Sequence, residues 1–162
     1  INGVSKTYAM TGGRIGYAVG QPDIISAMTT VLSHMTGNAA AVSQAAALAA
    51  LTGDQTPLAE MKAAFQQRLD RIYPLLAAVP GVKLNHKPQG AFYLFPDVSA
   101  AMAMKGITTT SDFVAAVLNE AHVALVTGSA FGLPGHVRLS YAADLATLLS
   151  AIERLTKFMT TP

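Results

Sequence analysis

Cysteine and tryptophan are both absent from the 162 residues, and charged residues make up only 12% of the chain. Without cysteine there are no disulfides and no thiolate metal sites. The charge content lies well below the average soluble domain, about a quarter, and the formal net charge is only +2. There is no run of Lys or Arg and no aromatic ladder between basic residues, so no nucleic-acid partner is predicted for this segment. The most apolar stretch, Ala39 to Leu51, is interrupted by Ser43 and Gln44 and is too short to cross a bilayer. Neither a transmembrane helix nor a membrane partner is expected. The beginning of the chain carries no basic stretch leading into an apolar one, as a signal peptide would, and the expected localisation is cytoplasmic. His34, His86, His122 and His136 are scattered without ligand spacing, and no metal site is expected.

Apolar residues reach 51%, much of it alanine. Such a composition suggests small-residue packing or a surface meant for a partner, and the length suffices for a domain with its own core.

Ile15 to Gly20 reads as a short strand ended by Gly20-Gln21-Pro22-Asp23. A helix is predicted from about Pro22, with Ile24, Ile25, Met28, Val31, Leu32 and Met35 at helical spacing, interrupted by Thr36-Gly37-Asn38. A second, alanine-rich helix follows from about Val42 to Leu51. Pro57, placed after a Thr56 cap, opens a long amphipathic helix with the stripe Leu58, Met61, Phe65, Leu69, Ile72 and Leu76, ended by Pro80-Gly81. Short strands are then predicted at 82–84, 91–95, 123–126 and 136–141. A helix falls between the second and third of these, from about Ser111 to Ala121, and another closes the chain with Leu145, Leu148, Leu149, Ile152 and Leu155. Strands and helices in this order imply a small α+β domain with a mainly antiparallel sheet. The expected division places the end of a preceding domain at residues 1–53 and the α+β domain at 54–162.

The most informative window is Gly3-Val4-Ser5-Lys6-Thr7-Tyr8-Ala9-Met10-Thr11-Gly12-Gly13-Arg14-Ile15-Gly16. A lysine among small residues, followed by a glycine pair and an arginine, offers an amine and a guanidinium to one small phosphorylated ligand. Pyridoxal 5'-phosphate has the matching chemistry: Lys6 can condense with its aldehyde while Arg14 grips its phosphate by paired charge-assisted hydrogen bonds. Gly12 and Gly13 are expected to let the backbone approach closely. A second cation, Arg138, sits in a strand pattern between apolar residues, where burial without an anion is expensive. It serves either a carboxylate ligand or, as an edge-strand residue, an acidic neighbour.

The lysine window resembles the attachment signature of the class I and II aminotransferases, in which a small residue precedes the lysine and Gly-x-Arg-hydrophobic-Gly closes the motif. The order of the lysine loop, the long helix, the Pro-x-Gly-Ala-Phe-Tyr strand (Pro88 to Tyr93), Gly128-Ser129-Ala130-Phe131-Gly132 and Arg138-Leu139-Ser140-Tyr141-Ala142 is similar to the C-terminal part of a fold-type I pyridoxal phosphate transferase, nearest the bacterial aspartate aminotransferase subgroup. That resemblance implies an α/β fold in which 1–53 ends the large cofactor-binding domain and 54–162 is the small domain. It also implies an N-terminal part absent from this chain and a homodimer. Lys6 is then the cofactor-attaching, proton-moving lysine, Arg14 and Ser5 hold the phosphate, and Arg138 binds the substrate α-carboxylate. In several relatives the phosphate-binding hydroxyl stands three residues before the lysine, where this chain has Gly3. The implied substrates are an α-amino acid, aspartate-like by preference, and a 2-oxo acid such as 2-oxoglutarate. The same scaffold also serves carbon-sulfur lyases and the effector domains of transcriptional regulators. Gly90-Ala91-Phe92-Tyr93 and Phe131 line the substrate cleft or form core, and Asn38 resembles a loop near the dimer interface.

Overall fold

The computed structural model describes residues 1–161, and the chain divides into two compact units, Ile1–Lys62 and Ala63–Pro162. In the first unit β1 (Asn2–Gly3) pairs antiparallel with β2 (Gly16–Tyr17), Gly3 opposite Gly16. The pairing is close enough that a Cβ on Gly16 would lie 3.0 Å from the Asn2 carbonyl oxygen. The strand predicted at 15–20 is therefore two residues long, limited by its two-residue partner.

Helix α1 (Pro22–Met35) starts with Pro22 in its first turn, where the missing N–H breaks no helical bond. Helix α2 (Ala41–Thr52) extends the predicted alanine-rich helix by one residue at each end and stops at Gly53, whose N–H donates to the Ala49 carbonyl at 2.8 Å. Their apolar side chains are largely uncovered: Met35 is 73% exposed and Val42 76%. Val4 and Ala47 are the buried apolar residues of this unit among the described residues, too few for a core of its own.

Helix α3 (Thr56–Ala77) leads from the first unit into the second. Its first turn is held by a residue other than the predicted cap: the Asp54 carboxylate accepts hydrogen bonds from the Thr56 N–H at 3.0 Å and the Thr56 hydroxyl at 2.8 Å. Leu69, Ile72 and Leu76, at spacings of three and four, are buried. The helix ends at Ala77, ahead of Pro80-Gly81. In place of the strand predicted at 82–84, Lys83 makes a single antiparallel bridge with Asp97.

The sheet of the second unit consists of β3 (Tyr93–Leu94), β4 (Val126–Thr127) and β5 (Val137–Ser140) in the order β3-β5-β4, with both pairings antiparallel. Between β3 and β4 lie α4 (Ser99–Met104), too short to show a period in the sequence, and α5 (Thr110–Ala116), which continues as a π turn over Val117–Ala121. Helix α6 (Leu145–Thr160) closes the unit. Along β5 the residues alternate, Val137 and Leu139 buried, Arg138 half-buried and Ser140 exposed, so the buried face joins Ile72, Phe113, Leu148 and Ile152 in one core. The opposite face carries Arg138.

Carboxylates fasten several turns. Asp144 caps α6 by accepting from the Thr147 N–H at 2.9 Å, and Asp97 accepts from the Ser99 N–H at 2.8 Å. Hydrogen bonds to Thr147 hold the Asp144 carboxyl below its ordinary range, those to Ser99 do the same for Asp97, and those to Thr56 for Asp54. Because the folded values are depressed, these groups stabilise the fold fully above the unfolded carboxylate pKa, about 4, and the stabilisation disappears as pH falls through the depressed values. A thermal melt followed from neutral pH downward should show a plateau and then a falling midpoint below about pH 4. In Asp144→Asn that decline should be shallower, and an identical profile would argue that the cap contributes nothing.

Candidate functional site

Lys6 lies in the turn 5–8 directly after β1, where the Tyr8 N–H donates to the Val4 carbonyl at 3.2 Å and the Ala9 N–H to the Lys6 carbonyl at 3.2 Å. Val4, 1% exposed, anchors the turn, and the Tyr8 hydroxyl donates to Gln55 Oε1 at 3.0 Å, tying its far end to the α2–α3 connection. The Lys6 side chain is exposed and Ser5 is half-buried. Two residues of the loop hold the left-handed conformation without being glycine, Ala9 at φ 54° and Arg14 at φ 47°, a backbone strain on the order of 1 kcal/mol or more each. At Arg14 this conformation follows a 3-10 turn, Thr11–Gly13, and leaves the guanidinium exposed with a hydrogen bond to the Thr11 carbonyl at 3.3 Å. A Cβ at Gly12 would meet nothing within 4 Å. The loop thus carries an amine, a hydroxyl and a guanidinium on one short segment, a donor set suited to an aldehyde-bearing phosphate ester.

In the second unit Arg138 occupies the middle strand of the sheet, so it is not an edge-strand residue. Its Cζ lies 4.5 Å from the centroid of the Tyr93 ring and 4.5 Å from that of Phe131. Tyr93 comes from β3 on one side of β5, and Phe131 from the 3-10 turn Gly128–Phe131 that follows β4 on the other. Among the described residues no acid or carbonyl accepts a hydrogen bond from this guanidinium, and the ion pair they contain joins Lys87 to Asp70. Both sequence alternatives for Arg138 needed an anion, and the described residues provide none within hydrogen-bonding reach. A half-buried guanidinium with its donors unused is equipped for a planar carboxylate.

The turn that presents Phe131 depends on Gly128. Its N–H donates to the His136 carbonyl at 2.7 Å, and a Cβ there would collide with the carbonyl oxygens of Leu133 and His136. Gly128→Ala should lower stability by about 2 kcal/mol, read as a lower midpoint in a denaturant titration; an unchanged midpoint would show that the turn relaxes freely. Thr110 supports the same region from beneath: its buried hydroxyl accepts from the Gly135 N–H at 2.8 Å. Nothing in the local sequence announced that bond, which joins residues 25 positions apart.

Other cations have structural partners. Arg68 lies over the Phe65 ring, 5.0 Å from its centroid, and Arg154 donates to the Ser150 and His122 carbonyls. Five of the aspartates are similarly occupied. Asp54, Asp97, Asp112 and Asp144 fasten turns or helix starts, and Asp70 pairs with Lys87 and Gln66. Asp23 stands in the first turn of α1.

Comparison with known proteins gives this arrangement its relatives. The family described as aminotransferase class I and II matches residues 1–155. The chain is 55% identical over 159 residues to the asparagine–oxo-acid transaminase of Streptococcus mutans and, over the same length, to the aspartate aminotransferase of Geobacillus stearothermophilus. Each comparison covers 98% of this chain and 40% of the relative, so the chain spans about two-fifths of the length of these proteins. Among solved structures, the aspartate aminotransferase of Rhizobium meliloti superposes with a TM-score of 0.89 at 44% identity, covering 98% of this chain and 40% of that one. That of Thermotoga maritima superposes with a TM-score of 0.87 at 37% identity, covering 99% and 39%.

Proposed function

The chain belongs to the class I and II aminotransferases, and from that premise we propose that the whole protein moves an amino group from an aspartate-like amino acid to a 2-oxo acid such as 2-oxoglutarate. The observation that carries this reading is the lysine loop: Ser5, Lys6 and Arg14 present a hydroxyl, an amine and a guanidinium from one short segment. The family works with pyridoxal phosphate, which when bound acts as the electron sink that makes the substrate α-carbon acidic. In this reading the Arg14 guanidinium, helped by the Ser5 hydroxyl, grips the phosphate. Lys6 Nζ would hold the cofactor and, with its amine free, would serve as the base that takes the proton from the substrate α-carbon. Arg138 holds the α-carboxylate by a bidentate fork, orienting the α-carbon for that transfer.

Residues 1–53 close the large cofactor-binding domain in this proposal and 54–162 form the small domain. The remaining three-fifths of a protein of the relatives' length supplies the acid for the pyridine nitrogen and the cation for the distal carboxylate. The exposed apolar side chains of α1 and α2 support a homodimeric protein, in which that missing part and a second copy cover them. No helix among the described residues is long and apolar enough to cross a membrane, which fits a cytoplasmic place for the protein.

A half-reaction screen tests the proposal: amino acids are added singly to the full-length, cofactor-loaded protein and the loss of its visible absorbance is followed. Aspartate or asparagine should react fastest. Failure of every amino acid would overturn it. Arg138→Lys should raise KM for the amino acid by at least about tenfold, since a point ammonium cannot reproduce the fork. Equal catalytic efficiency of variant and parent would make Arg138 structural.

A further inference from the structure

Arg138 is flanked as a cation in a cage would be, except that its own sheet builds the cage. Tyr93 approaches from β3 and Phe131 from the turn after β4, each ring centroid 4.5 Å from Cζ. Antiparallel pairing explains how. Tyr93 lies opposite Ser140, two residues beyond Arg138 on β5, so both side chains stand on the same face of the sheet. The contact is extended on both sides: Tyr93 packs on Phe92 at 4.5 Å, and Phe131 meets Phe95 edge-on at 5.9 Å, with His136 stacked on Phe95 in turn. Leu94, Val137 and Leu139 face the core on the other side, which leaves this row of rings no part in the main hydrophobic cluster except at Phe92.

We infer that Tyr93 and Phe131 are positioning residues that set the plane of the Arg138 guanidinium and thereby determine carboxylate affinity; the inference rests on the proposed role of Arg138. Rings against a guanidinium attract it electrostatically and restrict its rotation without using its N–H donors. Hydrogen-bonding neighbours would orient it too, but they would consume the donors that a bidentate carboxylate needs. Fixing the plane in advance also removes side-chain entropy that binding would otherwise have to remove. Phe131 itself is 49% exposed, unusual for a phenyl ring with only a packing role, and it sits on the turn that Gly128 fixes.

The test uses the full-length, cofactor-loaded protein, with succinate as a non-reacting dicarboxylate probe measured by calorimetry and transamination measured in parallel. Tyr93→Leu and Phe131→Leu should each weaken succinate about tenfold and raise KM for amino acid and oxo acid to a similar extent. The kcat and the cofactor absorbance should remain within about twofold of the parent. Tyr93→Phe and Phe131→Tyr, which keep the rings, should restore parental binding. With Arg138→Lys already present, adding Phe131→Leu should weaken succinate by no more than about twofold further, because the plane it fixes is gone. If Arg138→Lys weakens succinate while both leucine variants bind it normally, the positioning role is overturned and the carboxylate role of Arg138 stands. If Arg138→Lys itself leaves succinate binding unchanged, the carboxylate role falls and takes the positioning role with it.

Discussion

Lys6→Ala in the full-length protein should reduce transamination by at least about 10³-fold, the range lost when a positioned proton-transfer group is removed, and should abolish the visible absorbance of the covalently attached cofactor. The substitution removes the amine both as attachment point and as base, and no other lysine of the chain occupies the loop that carries Arg14. The fold should survive it. Lys6 is exposed in a turn held by main-chain bonds from Tyr8 to Val4 and from Ala9 to Lys6, which the alanine variant keeps. Exposed substitutions of this kind change stability by no more than about 0.5 kcal/mol. Thermal midpoints within a degree or two of the parent, together with lost absorbance and lost turnover, would place the defect in chemistry. Normal turnover by the alanine variant would sink the assignment of the whole loop.

The chain of 162 residues by itself should give no enzyme-dependent glutamate when mixed with pyridoxal phosphate, an amino acid and 2-oxoglutarate, although it carries Lys6, Arg14 and Arg138. A pyridoxal phosphate site needs an acidic partner for the ring nitrogen, and the aspartates other than Asp23 are occupied elsewhere. Asp54, Asp97 and Asp144 accept backbone N–H bonds that hold their carboxyls low, and Asp70 is held low by hydrogen bonds from Lys87 and Gln66. Recruiting any of them would break a turn or an ion pair. Uncovered apolar residues on α1 and α2 should also make the isolated chain self-associate, visible by light scattering. Sustained glutamate formation above the protein-free control would show that an acid within this chain serves the ring.

Where periodicity spans several turns, sequence and structure agree closely. The stripe Ile24 to Met35 lies on α1, the alanine-rich segment forms α2, and the Leu145 to Leu155 pattern runs through α6. Strand limits were less legible. The segment 82–84 has strand composition but only one bridging residue, Lys83, because its partner Asp97 sits at the start of a turn rather than in a strand. Helix α4 escaped notice because six residues are less than two turns. Thr56, expected as the cap of α3, is instead its first residue, and the Asp54 carboxylate two positions earlier accepts from its N–H and hydroxyl. Thr and Asp are both good capping types, and only geometry chooses between them.

What the amino-acid order determined by itself is the local chemistry: a lysine, a glycine pair and an arginine within one short loop, an arginine between apolar residues in a strand, and helices long enough to declare their faces. These depend on neighbours in the chain, so a window of residues contains them. Only the tertiary structure decided that Arg138 lies on the central strand, that no acid among the described residues pairs with it, and that Tyr93 and Phe131, 45 and 7 positions away along the chain, close on it at equal distance. Those facts come from strand order and register. A sheet brings together side chains whose separation in sequence has no bearing on their separation in space, and the rings that flank Arg138 are set by which strand pairs with which.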